Sequence, residues 1–322
     1  MKRIVSAMLI LTLLGLCAGC GQADAPATTS APAETTMVAT EPALTGPAAL
    51  DGKKIIFIGN SYTFWGQTVL HKDQSVLKQE LRSNDQGYFY QLCKENGAQV
   101  QVTNWTFGAH DFTDLFGSEC KTDKVCEGEK HFYFLQDAAF DYVAIQLYAE
   151  KEYGGDIVKH LEPAVELFRE ANPNVKFLLL VPHMAHEKSY EWLEDVQKLE
   201  DEGFLICDWG AMLHDISEGT VEVPGAAQQY ARSSFVNSLD DHHENVLAGY
   251  ITSLMTYCAI TGDSAVGQSY GFCDDSTIDP LFDLEAFKEK NYPDGTTNFV
   301  EVFRSEVDMR GLQQLVDQYL AK

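Results

Sequence analysis

Basic residues are scarce in this chain. Lys and Arg number 23 against 48 Asp and Glu, giving a formal net charge of -25 at pH 7. A surface of that sign repels phosphate backbones and anionic lipid, so nucleic acid is excluded as a partner and a neutral or cationic ligand is the easier expectation. Long apolar runs are missing too. A bilayer span needs roughly 20 consecutive apolar residues, and the run from Ile4 to Leu16 is shorter and broken by Ser6, Thr12 and Gly15. Among Cys93, Cys120, Cys126, Cys207, Cys258 and Cys273 no Cys-x-x-Cys pair occurs, so spacing suggests neither a zinc site nor a redox pair. No internal repeat is visible.

What the N-terminal part does contain is a leader pattern. Met1-Lys2-Arg3 supplies positive charge ahead of the short apolar run, the layout of an export signal. The run ends in Leu16-Cys17-Ala18-Gly19-Cys20, small residues before a cysteine, which resembles a lipobox cleaved before a lipid-modified Cys20, with its leucine one place early. Residues 1–19 are therefore expected to be a lipoprotein signal peptide. Residues 20–47, rich in Ala, Thr and Pro, are expected to be a disordered tether. The alternative is a simple secretory signal that removes both Cys17 and Cys20. Either way the protein is expected outside the cytoplasm, and the lipidated form touches the membrane through its anchor alone. Loss of Lys2 and Arg3 with the leader makes the remainder two units more negative.

Residues 48–322 are long enough for one large core. Export permits disulfides. Cys120 and Cys126 bracket a polar loop and are the first pair to expect, the alternative being free thiols; six cysteines leave the connectivity open.

Five short apolar runs recur along this part: Ile55 to Ile58, Val100 to Trp105, Tyr142 to Gln146, Lys176 to Val181 and Phe204 to Cys207. Each predicts a buried strand. Helical stretches lie between them, such as Glu162 to Ala171, stopped at Asn172-Pro173. Strand alternating with helix predicts a parallel sheet covered on both faces. A late helix is expected over Val246 to Thr261, with Leu247, Tyr250, Ile251, Leu254, Met255 and Cys258 on one face and Gly262 at its C-cap. An amphipathic helix closes the chain around Val302 to Leu320.

Ligands of open α/β sheets bind beyond the carboxyl ends of strands. After the first strand stands Gly59-Asn60-Ser61-Tyr62-Thr63, a tight turn that leads a serine into a helix. Ser61 is the candidate nucleophile; as an isolated feature it is equally an N-cap. A serine nucleophile needs a base, and the base needs an orienting carboxylate. Asp240-Asp241-His242-His243-Glu244-Asn245 precedes the late helix and offers both. In Asp-x-x-His, Asp240 and His243 stand about one turn apart, so the carboxylate can hold Nδ1 while Nε2 faces the serine. His242 with Asp241 or Asp240 is the other combination; spacing favours His243. The bland alternative is an acidic loop that caps the helix.

Gly-Asn-Ser after the opening strand together with a late Asp-x-x-His resembles the GDSL/SGNH hydrolase family, in a branch with Gly-Asn-Ser in place of Gly-Asp-Ser, over roughly residues 53 to 265. The resemblance implies a flavodoxin-like three-layer α/β/α fold of about five parallel strands, with Ser61 as nucleophile, His243 as base then acid, and Asp240 orienting it. It also implies an oxyanion hole from the Ser61 amide, a glycine amide matched by Gly108, and an asparagine side chain. Glu150 stands near the place of that asparagine, and an ionised carboxylate cannot donate; Gln146 or Asn60 would have to supply the amide. The implied activity is a serine esterase that deacylates a glycan or a small ester, with no cofactor.

Two other readings stay open. One is a binding lipoprotein that keeps the fold without the chemistry. The other is a metal-dependent hydrolase built on His183 and His186 with His242, Asp241 and Glu150. His-x-x-His without a visible third ligand is more often a pocket wall. Tyr62, Phe64, Trp65, Trp105, Phe107 and Tyr148 cluster near the motifs and offer either sugar-stacking faces or core.

Overall fold

In the computed structural model, described over residues 45–64, 82–83, 87–106, 108–116, 139–150, 153–227, 229–236, 242–273, 302–303 and 305–321, the apolar runs form the sheet they predict. β1 (Lys54–Gly59), β3 (Gln101–Thr106), β4 (Tyr142–Gln146), β5 (Lys176–Leu180) and β6 (Leu205–Cys207) are parallel, and the two-residue β2 (Arg82–Ser83) adds an antiparallel edge to β3. The order is β2-β3-β1-β4-β5-β6. Without the edge strand this is the flavodoxin-like order, in which the chain starts near the middle and winds outward in both directions.

Both faces are covered because alternate side chains of each strand point to opposite sides. Ile55 and Phe57 of β1, Ala144 of β4 and Leu178 of β5 pack with α2 (Tyr88–Glu95), the Trp209–Ser217 helix and the two C-terminal helices. Ile56, Ile58, Val143, Ile145 and Leu179 pack on the other side with the Ile157–Ala171 helix and with Trp192 and Leu199. Full burial of such a side chain is worth about 1.5–3 kcal/mol, so the central strands, buried along nearly their whole length, anchor the domain. The expected three-layer α/β/α class is the one observed.

In chain order the helices are α1 (Ser61–Phe64), α2, α3 (Phe112–Phe116), α4 (Ile157–Ala171), α5 (His183–Glu187), α6 (Val196–Asp201), α7 (Trp209–Ser217), α8 (Val246–Thr261) and α9 (Glu306–Leu320). α4 begins five residues before the sequence expectation. Asp156 caps it by accepting from the Lys159 amide, and Pro163 lies inside the helix. α8 has the expected bounds and the expected left-handed Gly262 at its end, with φ 71°. It is buried on every side, however, rather than along one stripe. Thr252, Ser253, Thr256 and Thr261 turn their hydroxyls back to carbonyls of the preceding turn, at 2.8–2.9 Å, which satisfies the polar atoms and leaves an apolar surface.

A short 3-10 turn, Gly46–Ala49, spans the boundary expected between tether and domain. Cys93, Cys207 and Cys258 are free, buried thiols, and Cys273 is buried. Cys20 and the expected Cys120–Cys126 pair lie outside the described residues. No helix among the described residues is long and apolar enough to cross a membrane.

Candidate active site

The parallel register brings the carboxyl ends of the strands to one edge: Gly59 is opposite Thr106, and Ile58 is opposite Ile145. The residues that follow those ends build the site.

At the end of β1 the chain must turn against β4 with almost no clearance. A Cβ on Gly59 would lie 2.8 Å from both Gln146 Cβ and Thr63 Oγ1, so only glycine fits. The missing side chain lets Gln146 reach across, where its Oε1 accepts from the Asn60 amide at 3.1 Å and from the Thr63 hydroxyl at 2.9 Å. Asn60 ties the turn a second way: its Oδ1 accepts from the Tyr62 amide and its Nδ2 donates to the His110 carbonyl, each at 3.1 Å. Ser61, buried with 8% exposure, sits inside this braced turn as the first residue of α1.

These bonds bear on the oxyanion hole. The Gln146 amide group donates to the Leu147 carbonyl at 2.7 Å, and that of Asn60 is directed to His110. Each side chain named as third donor thus has one N–H committed to a backbone carbonyl. Gly108 stands exposed two residues past Thr106, and its carbonyl accepts from His110 Nδ1 at 2.7 Å. Glu150, 5% exposed, is a clamp within the fold. One oxygen accepts from the Phe112 and Tyr148 amides at 2.8 and 3.3 Å, and the other meets His160 Nε2 at 3.1 Å.

The histidines arrive from the far end of the sequence. Val236 and Glu244 pair as an isolated antiparallel bridge, and the Asn245 side chain caps α8 through the Ala248 amide at 3.1 Å. His243 directly precedes the bridge residue Glu244, and its ring centroid is 5.4 Å from that of Tyr62, the residue after Ser61. The His242 ring is 4.1 Å from His243 and 6.4 Å from Tyr62. Tyr62 therefore gathers both histidines beside the serine turn. Asp240 and Asp241 lie outside the described residues.

His183 and His186 do not converge on a shared position. His183 Nδ1 is 3.0 Å from Glu244, and His186 Nε2 is 2.8 Å from Asp208. Among the described residues no group of three or more His, Cys, Asp or Glu side chains is placed to hold a metal ion. Of the aromatic residues singled out, Trp105 is core, 4% exposed, and Tyr148 packs 5.9 Å from Tyr62. Trp65, Phe107 and the Phe64 side chain lie outside the described residues. Tyr190, which the sequence did not flag, meets Tyr148 edge-on at 6.1 Å. Burial first, then the neighbouring Tyr148, pushes its hydroxyl up to about 12.

No family model matches the chain, and no curated protein matches it. Among solved structures, the chain is similar to the acetylxylan esterase Axe2 of Geobacillus stearothermophilus, at 15% identity and a TM-score of 0.42, over 67% of this chain and 96% of that one. It is also similar to an SGNH hydrolase candidate from Slackia heliotrinireducens, at 13% identity and a TM-score of 0.41, over 66% and 99% of the two chains.

Proposed function

We propose that the protein is a serine esterase that forms an acyl-enzyme. The observation that carries this reading is the meeting at Tyr62 of two residues 182 positions apart: Ser61 in its braced turn and His243 against the adjoining ring. Ser61 Oγ attacks the ester carbonyl while His243 takes its proton. The bond to the alcohol then breaks as His243 returns the proton to the leaving oxygen, and water repeats the sequence on the acyl-serine to release the acid. Asp240 orients His243, and the Ser61 and Gly108 amides receive the developing oxyanion.

The substrate is an acyl ester, with acetyl groups on a glycan or a small ester as the intended class. Export and a lipid anchor at Cys20 would place the enzyme on the outer face of the cell membrane. The prediction is that the purified chain hydrolyses p-nitrophenyl acetate and that Ser61→Ala and His243→Ala each lower kcat by about 10⁴-fold or more, measured by stopped-time absorbance. Equal rates in wild type and both variants contradict it. The engagement of the Gln146 and Asn60 amides within the turn favours a second reading, a binding protein of the same fold; saturable binding of acetylated oligosaccharide without turnover would establish that instead.

A further inference from the structure

One buried carboxylate–imidazole pair takes no part in that chemistry. His183 opens α5 just beyond β5 and is 6% exposed, and its partner Glu244 is fully buried. The 3.0 Å contact runs from His183 Nδ1 to Glu244 Oε1. With the carboxylate oxygen as acceptor, Nδ1 is the donor. Nε2 makes no hydrogen bond among the described residues and stands 4.0 Å from Glu187 Oε2, so the Nδ1 bond is the one hydrogen bond that orients the imidazole among those residues, beside that carboxylate and ring packing.

The placement of the two partners gives this pair its meaning. Glu244 directly follows His243 and is half of the bridge that closes the base of the Asp240–His243 segment. The next residue is tied as well, since the Asn245 amide donates to the Phe235 carbonyl at 2.8 Å. His183 reaches that base from the β5 end of the sheet. The same imidazole packs edge-on against Tyr62 at 5.8 Å, and Tyr62 directly follows Ser61. One side chain thus holds the neighbour of the nucleophile and the neighbour of the base.

We propose that His183 is a positioning residue that fixes the separation of Ser61 and His243, through its hydrogen bond to Glu244 and its packing on Tyr62. This rests on the esterase reading. A misplacement of about 1 Å can cost on the order of a hundredfold in rate without loss of binding, so the signature is a fall in kcat at constant KM.

The test uses the full chain, p-nitrophenyl acetate kinetics and the rate of Ser61 labelling by a fluorophosphonate. Glu244→Gln keeps an acceptor and is expected to stay within about threefold of wild type in kcat; His183→Asn keeps a donor near the Nδ1 position but loses the ring against Tyr62, and is expected to fall between wild type and His183→Leu. His183→Leu and Glu244→Met keep bulk and remove the bond; each is expected to lose at least about tenfold in kcat and in labelling rate, with KM within about threefold. Should His183→Leu fail to fold, Glu244→Met carries the same comparison. Wild-type kcat in Glu244→Met, or an equal fall in His183→Asn and His183→Leu, overturns the proposal while leaving the esterase reading intact. An inert, unlabelled wild type overturns both.

Discussion

At Gly59 a single absent carbon decides whether the serine turn can form. An alanine there would drive its Cβ to 2.8 Å from Gln146 and Thr63, and forced overpacking of this kind costs about 1–3 kcal/mol. Gly59→Ala is therefore expected to lower unfolding stability in urea by that amount and to reduce esterase activity beyond what the folded fraction explains; wild-type stability and rate would show that the β1–β4 contact is looser than described. The glycine and Ser61 were legible as a strand-end turn. The part played by Gln146 was not. Its position at the end of β4 suggested a free amide, but spacing along a strand cannot say which way a side chain turns, and its oxygen accepts from the backbone amide that follows another strand. Glu150 carries the same lesson: a carboxylate that looked like a misfit in the oxyanion hole is instead the acceptor for two loop amides and a partner for His160.

Among the elements, strand positions were read well because buried parallel strands are short apolar runs with few alternatives. The two-residue β2 is too brief to leave a pattern. α4 was read from Glu162 to its stop at Asn172-Pro173, whereas here Asp156 caps a helix that starts at Ile157 and Pro163 lies within it. α8 was read with an apolar stripe because its Ser and Thr residues look polar in sequence; hydrogen-bonded to their own backbone, they suit full burial. The pairing of α5 with the base of the His243 segment was invisible. His183 and Glu244 are separated by 61 residues, and the His-x-x-His spacing drew attention to a shared ligand, while the fold gives each histidine its own carboxylate.

Across the whole molecule, the α2–α7–α8–α9 side of the sheet buries the Cys93, Cys207 and Cys258 thiols and several tyrosines, all of which ionise late. Burial pushes Cys207 from its ordinary 9.0 up to about 12, raises Cys93 and Cys258, and raises Tyr250 well above 10.0. A group whose value is raised in the fold contributes fully below its unfolded value and loses that contribution as pH climbs toward the folded one. The urea midpoint, measured under reducing conditions, is accordingly expected to hold up to about pH 9 and then to fall between about 9 and 12; a flat midpoint through that range would show the thiols and phenols to be more accessible than they are here. The central claim is that this fold carries Ser61 as a nucleophile. Its most direct test is fluorophosphonate labelling of the intact chain read by mass spectrometry with peptide mapping. The account predicts one adduct, on Ser61, that is lost in Ser61→Ala and strongly slowed in His243→Ala; an unlabelled chain, or an adduct on another residue, would contradict it.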